Sequence, residues 1–209
     1  MNFKKLQAMQ AKLDEAILAD KAPMTDEERF NKTLVALSVE IAEVANCAEH
    51  FKFWKDGKGM KVDESRFSEY KSPYFSNVIY LDNKGNDETK MVELTREQAH
   101  RLTLIEECSD ALHFILSLAN QIEYEIDLCN WEISQELKED YLIYVNRDVF
   151  FLFKSFRDKN SVSITHKNLF MLVLGVFGYF ESLGVTPQEL EQAYYDKNKI
   201  NYERLENGY

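Results

Sequence analysis

Two stretches of the chain, LVALSVEIAEVANCAEHF and LTLIEECSDALHFILSLAN, are apolar around nearly their whole helical circumference, yet each carries a row of polar residues. Glu40, Glu43 and Asn46 stand three apart and project from one helical face, and Glu107, Asp110 and His113 repeat the arrangement. A helix apolar on almost all sides is a buried one. Burying an ionised carboxylate costs several kcal/mol even after relaxation, and four facing one another cost more through mutual repulsion. The two helices therefore need something cationic between them. Within the stripes no Lys or Arg lies one turn from the acids, and Lys32, Lys52 and Arg101 fall toward the helix ends. A divalent metal is the economical partner. Glu40, Glu43, Glu107 and Asp110 offer hard oxygen donors, which favour Mg²⁺ or Mn²⁺ over zinc or copper. Carboxylate-held Mg²⁺ usually keeps waters and engages substrate phosphates. A lone Glu-x-x-Glu is ordinarily a solvated face, and only the pairing of two such stripes on two apolar helices outweighs that reading. Glu106 points about 100° away from Glu107 and falls outside the site or behind it. His113, one turn past Asp110, is either a satisfied core histidine or a substrate contact.

The remainder of the chain also reads as helix. With 7 glycines and 3 prolines in 209 residues, the punctuation of an all-β sandwich or barrel is missing, and the length is ample for a core without disulfides. Thr25 with Glu28, Thr95 with Gln98 and Thr186 with Glu189 are capping boxes, the last followed by Pro187 at the first helical position. The expected fold is all-α: one domain over 1–209, a bundle of about six helices at roughly 3–20, 26–54, 96–127, 132–158, 165–183 and 187–205. Between Trp54 and Thr95 the helical period disappears and Gly57, Gly59, Pro73 and Gly85 cluster. We expect a long irregular insertion at about 55–95, with a small β-hairpin in NVIYLDNKGNDETKMVEL around its Asn-Lys-Gly-Asn turn. An insertion this long suits a lid, a dimer element or a docking site for an unknown protein partner.

A net charge of −11 argues against holding nucleic acid. A small anionic substrate requires metal or a local group of cations to reverse the field. Lys197, Asn198, Asn201 and Arg204 fall at near-helical spacing and can present two cations and two amides to phosphate and sugar oxygens; equally, they suit a solvated last turn. Lys52 and Trp54 either meet a nucleotide or form a core Trp beside a solvated Lys. Cys47, Cys108 and Cys129 are an odd number in apolar surroundings and read as reduced thiols. With MNFKKLQAMQAKLDEAI an amphipathic helix rather than a signal peptide, the expected location is cytoplasmic. The longest apolar run, LFMLVLGVFGYF over 169–180, is too short for a bilayer of ~30 Å and reads as a core helix.

At ALSVEIAEVANCAEHFKFW, LIEECSDALHFILSL and AYYDKNKINYERLENGY the chain resembles the dimeric all-α dUTPases, in the pyrophosphohydrolase group that includes MazG-type enzymes and dCTPases. The resemblance implies a homodimer that hydrolyses dUTP, and commonly dUDP, to dUMP. It implies that Glu40, Glu43, Glu107 and Asp110 hold Mg²⁺ bridging the triphosphate, that Glu43 orients or deprotonates the attacking water, and that the C-terminal residues through Tyr209 contact substrate. No Walker loop is present, and metal-assisted water attack needs none. Gln10 lies in QAKLD, similar to the family segment where a Gln and an Asn read the uracil; here the second position is Asp14. Leu205 also departs from a Gln frequent in the family. Asp14 keeps open a dCTP or broad-specificity pyrophosphohydrolase. Two further classes compete. A ferritin-like di-iron protein would use two Glu-x-x-His motifs, where only Asp110-x-x-His113 occurs, and a non-catalytic helical dimerisation module would have no use for the acids.

Overall fold

The computed structural model describes residues 1–19, 21–64, 67–70, 78–81, 92–128 and 136–208. Six helices follow the expected order: α1 (Phe3–Ala19), α2 (Asp26–Ala48), α3 (Arg96–Gln121), α4 (Lys138–Arg157), α5 (Val162–Ser182) and α6 (Pro187–Asn207). The three threonine caps form as the sequence specifies. Each Thr side chain accepts from the backbone N–H three residues on, and the Glu or Gln there returns the bond to the threonine N–H. Such a cap is worth about 1 kcal/mol, enough to fix where a helix starts.

Helix α3 is the hub, packed against α1, α2 and α6 and more lightly against α5. Its buried residues run all round, from Ala99 through Leu112, Ile115 and Leu116 to Ala119. α2 delivers Phe30, Leu34, Leu37, Ile41 and Val44 to the same core, and the Phe30 ring stacks on Phe156 of α4 at 3.8 Å between centroids. α5, the most apolar helix, is the core element that the 169–180 run implied, with Leu169, Leu172, Val173, Val176 and Tyr179 completely buried. Each such Leu or Val contributes about 1.5–3 kcal/mol by leaving water.

Two helices end earlier than their periodicity suggests. α2 stops at Ala48 rather than 54, because Glu49 takes the left-handed conformation at φ 55°. A non-glycine residue there is strained, and the compensation is electrostatic: the almost buried Glu49 carboxylate takes Lys55 Nζ at 2.7 Å on both oxygens and Lys52 Nζ at 3.1 Å. His50 then ties the turn to α4 and α5, lying 3.1 Å from Glu139 Oε1 and 2.8 Å from the Tyr179 hydroxyl. α3 stops at Gln121 rather than 127. Glu123 turns left-handed at φ 54°, and Gln7 of α1 takes over the backbone bonds, donating to the Tyr124 carbonyl at 2.7 Å and accepting from Ile126 N–H at 3.0 Å. α4 begins at Lys138 and α5 at Val162, against expected starts of 132 and 165, and α6 runs two residues past the expected 205.

The insertion carries a three-stranded antiparallel sheet in the order β1 (Phe67–Tyr70), β2 (Val78–Leu81), β3 (Val92–Leu94). β2 and β3 are the two arms of the anticipated hairpin, paired Ile79 to Leu94 and Leu81 to Val92. Their Asn-Lys-Gly-Asn turn lies outside the described residues, as does Cys129. β1 is an addition, a four-residue FSEY segment too short to show a period. Phe67 is buried with Ala99 against Val62 and Leu94, so the sheet is seated on the start of α3 by a small apolar cluster of its own.

Candidate active site

The acid stripes meet. α2 and α3 pack side by side, and carboxylate oxygens of Glu40, Glu43 and Glu107 all lie within 4.8 Å of one another. No histidine joins this cluster among the described residues, which leaves the di-iron pattern without its nitrogen ligands. Asp110 faces the same region but is drawn toward α6: its Oδ2 receives Lys197 Nζ at 2.7 Å, and the same ammonium reaches Glu106 Oε1 at 3.1 Å. Glu106 thus sits behind the site, holding the lysine that neutralises part of it.

The electrostatics follow from this crowding. Burial first, then the charges of Asp110, Glu43 and Glu107, push the Glu40 carboxyl up to about 7, against a partial offset from Lys197. Glu107 is pushed to about 7 by burial and then by Glu43 and Asp110. Asp110 is raised by burial despite the opposing Lys197 ion pair. Acids this perturbed, gathered on one spot, are a site in need of positive charge. Carboxylate oxygens within 4.8 Å of one another, two of them half-buried, are a donor set of the right chemistry for a hard divalent cation.

A cleft of about 490 Å³ leads away from Glu40 and Asp110 between α1, α2, α3 and α6. Its described lining includes the cations Lys21, Arg29, Lys32, Lys197 and Arg204 against the acids Asp14, Glu40 and Asp110, a local excess of positive charge in a strongly acidic chain. Of the residues singled out from sequence, the structure brings Gln10, Glu40, Asp110, His113, Lys197, Asn201 and Arg204 to this cleft, with Glu43 and Glu107 at its acidic end. Asn198 is buried one turn behind, its amide nitrogen without a partner among the described residues. Asn46 stands exposed on α2. Lys52 is taken by Glu49, and Trp54, 66 % exposed, touches Phe51 and Phe53 edge-on outside the cleft. Tyr209 lies outside the described residues.

His113 is almost fully buried, stacked on the Tyr194 ring at 4.2 Å, and burial lowers its imidazole to about 3, so it is neutral. Asp14 is engaged by three donors: Gln10 Nε2 at 2.7 Å, Ser117 Oγ at 2.6 Å and Arg29 Nη2 at 3.1 Å. Arg29, Thr33, Phe114 and Ser117 escaped the sequence reading. The signal was present as helical phase: Arg29 and Thr33 continue the Glu40 face of α2, and Phe114 and Ser117 continue the Asp110 face of α3.

A family model described as dUTPase matches the chain in two stretches, residues 2–101 and 90–209, which together take in nearly all of it. Searches among curated proteins and among solved structures give no match. The paired acidic helices, the cationic cleft and this match lead to one conclusion: the chain belongs to the all-α dUTPase family, a family of dUTP diphosphatases.

Proposed function

We propose that this protein hydrolyses dUTP, and dUDP as well, to dUMP by water attack at phosphorus, with Mg²⁺ held by Glu40, Glu43, Glu107 and Asp110. The observation that carries the reading is the convergence of Glu40, Glu43 and Glu107 oxygens within 4.8 Å at the end of a cation-lined cleft. Mg²⁺ or Mn²⁺ bound there supplies the positive charge that a polyphosphate needs among four acids and makes water a better nucleophile. Glu43, the exposed member of the cluster, holds the attacking water and takes its proton. Lys197 and Arg204 receive phosphate oxygens, and Asn201 between them on α6 serves phosphate or sugar. Asn46, Lys52 and Trp54 lie outside the cleft of a single chain, and in this proposal they meet substrate only within a homodimer. Exposed Val35 and Val39 on α2 and Ile143, Phe150 and Phe151 on α4 support that assembly. Sedimentation should give a dimer at micromolar concentration; a monomer there would remove the assembly from the proposal.

Turnover of dUTP is tested by pyrophosphate release from dUTP, dCTP, dTTP and UTP in parallel, each with Mg²⁺ and with chelator. Metal-dependent hydrolysis of dUTP above the others is expected. Preference for dCTP is the second reading, favoured by the acceptor Asp14 in the cleft, and no turnover of any nucleotide would sink both. Glu43→Gln should reduce kcat by at least 10²-fold while leaving the circular dichroism unchanged; retained activity would take Glu43 out of the mechanism.

A stability measurement isolates the metal. Glu40 and Glu107 bind their protons near 7 in the folded chain against 4.5 for a free glutamate. Raised carboxyls favour the fold fully below their unfolded value and lose that contribution as pH rises through their folded value. The chelated protein should therefore lose Tm between about pH 5 and pH 8, and Mg²⁺, which competes with protons for the same oxygens, should raise Tm more at pH 8 than at pH 5. An equal Mg²⁺ effect at both pH values would contradict carboxylate ligation.

A further inference from the structure

Beside the acidic cluster runs a hydrogen-bond chain whose direction is fixed at one end. Asp14, paired with the Arg29 guanidinium at 3.1 Å and receiving the Ser117 hydroxyl at 2.6 Å, has only acceptors to offer. The side-chain group of Gln10 that lies 2.7 Å from Asp14 Oδ1 must therefore be its NH₂. An amide has one donating and one accepting end, so the Gln10 Oε1 is turned the other way. There it lies 2.7 Å from His113 Nδ1 and takes the Tyr194 hydroxyl at 3.1 Å. That oxygen only accepts, so the single proton of the neutral imidazole sits on Nδ1. Nε2 is left with a bare lone pair. It is buried, has no partner among the described residues, and belongs to a residue on the cleft wall. A buried acceptor without a donor is costly unless a ligand supplies one.

We propose that Asp14, acting through Gln10, is a positioning residue that locks His113 in the Nδ1–H tautomer, so that His113 Nε2 accepts a hydrogen bond from the bound nucleotide. The donor is the imide N–H of the base or the 3′-hydroxyl of the sugar, which are the neutral donors that a deoxyuridine nucleotide carries. The identity of the ligand rests on the function proposed above; the tautomer lock does not. The geometry also accounts for an acid where the resembling family segment has an asparagine. An asparagine with its oxygen held by Arg29 and Ser117 turns its NH₂ to Gln10 and reverses the direction of the chain, whereas a carboxylate can only accept from Gln10.

The test is nitrogen-15 NMR of the His113 ring in the full chain. In the ligand-free wild-type protein Nδ1 should be protonated and Nε2 bare; a proton on Nε2 would overturn the inference without any variant. Asp14→Asn, nearly isosteric, should move the ring proton toward Nε2, and a spectrum identical to wild type would remove Asp14 from the lock. Adding the non-hydrolysable α,β-imido analogue of dUTP with Mg²⁺ should shift the Nε2 resonance. An unshifted resonance, with binding visible by phosphorus NMR, would show that Nε2 accepts nothing. The 2′,3′-dideoxy form of the analogue separates the donors: a shift that persists assigns the imide, and one that vanishes assigns the 3′-hydroxyl. In kinetics Asp14→Asn should raise KM for dUTP roughly five- to tenfold with little change in kcat, the signature of one loosened ligand hydrogen bond. A fall in kcat at constant KM would contradict it. Failure of the chain to bind or turn over any deoxyuridine nucleotide would count against the proposed substrate, while the two ligand-free spectra would still decide the lock.

Discussion

Like-charge repulsion between α2 and α3 is the constraint on which the rest of this structure depends. Glu40, Glu43 and Glu107 are brought within 4.8 Å by two helices that pack tightly for other reasons, their apolar faces having nowhere else to go. Among the described residues the crowding is relieved mainly from α6, with a smaller contribution from Lys61 at Glu107. α6 lies along α3 with Tyr194 sealed beneath it, Arg101 and Glu189 bind its first turn at 2.7 Å, and Lys197 is thereby delivered to Asp110 and Glu106. That ammonium offsets Glu40 and Glu107 only in part, and both carboxyls stay raised to about 7. The acids are held together by the packing of two apolar helices, whose burial outweighs the repulsion between them.

The same arrangement explains how a strongly acidic chain can belong to a family that handles polyanions. Net charge describes the exterior, whereas Lys21, Arg29, Lys32, Lys197 and Arg204 are gathered around a single cleft. Fields in a cleft with low-dielectric walls are set by the nearest charges, and more distant acids on the surface are screened by water and salt. Asp14 complicates the picture usefully, because it takes Arg29 partly out of that pool and turns it into a fixed strut.

The start of each capped helix could be read from sequence because a cap is a local contract between residues three apart, as at Thr25, Thr95 and Thr186. Helix ends were harder to read. The end of α3 is decided by Gln7, which meets Ile126 from 119 residues away, and the end of α2 by a left-handed glutamate that nothing in its neighbours announces. The acid stripes were legible for the same reason as the caps, being a spacing within one helix. What the sequence could not show is which other faces share the cleft: Arg29 and Ser117 look like ordinary helix residues until α1 places Asp14 between them. Trp54 is the opposite case, an aromatic prominent in the sequence that one chain leaves outside the cleft.

The way Gln7 fastens α1 gives that helix a mechanical character. Its amide clamps the frayed end of α3 at Tyr124 and Ile126, and one turn on, the Leu6 carbonyl and Gln10 are gripped by the buried Tyr194 hydroxyl. Asp14 adds ties to Arg29 and Ser117 further along, while Ile17 and Leu18, at the far end, border the cleft without such ties among the described residues. α1 is in effect a cantilever. Its clamped part carries Gln7, Gln10 and Asp14, and its far tip lines the rim of the cleft. Under the function proposed above, admission and recognition fall at opposite ends of one rod, so a substitution near Ile17 should be felt as a change in the rate of arrival rather than in what is chosen.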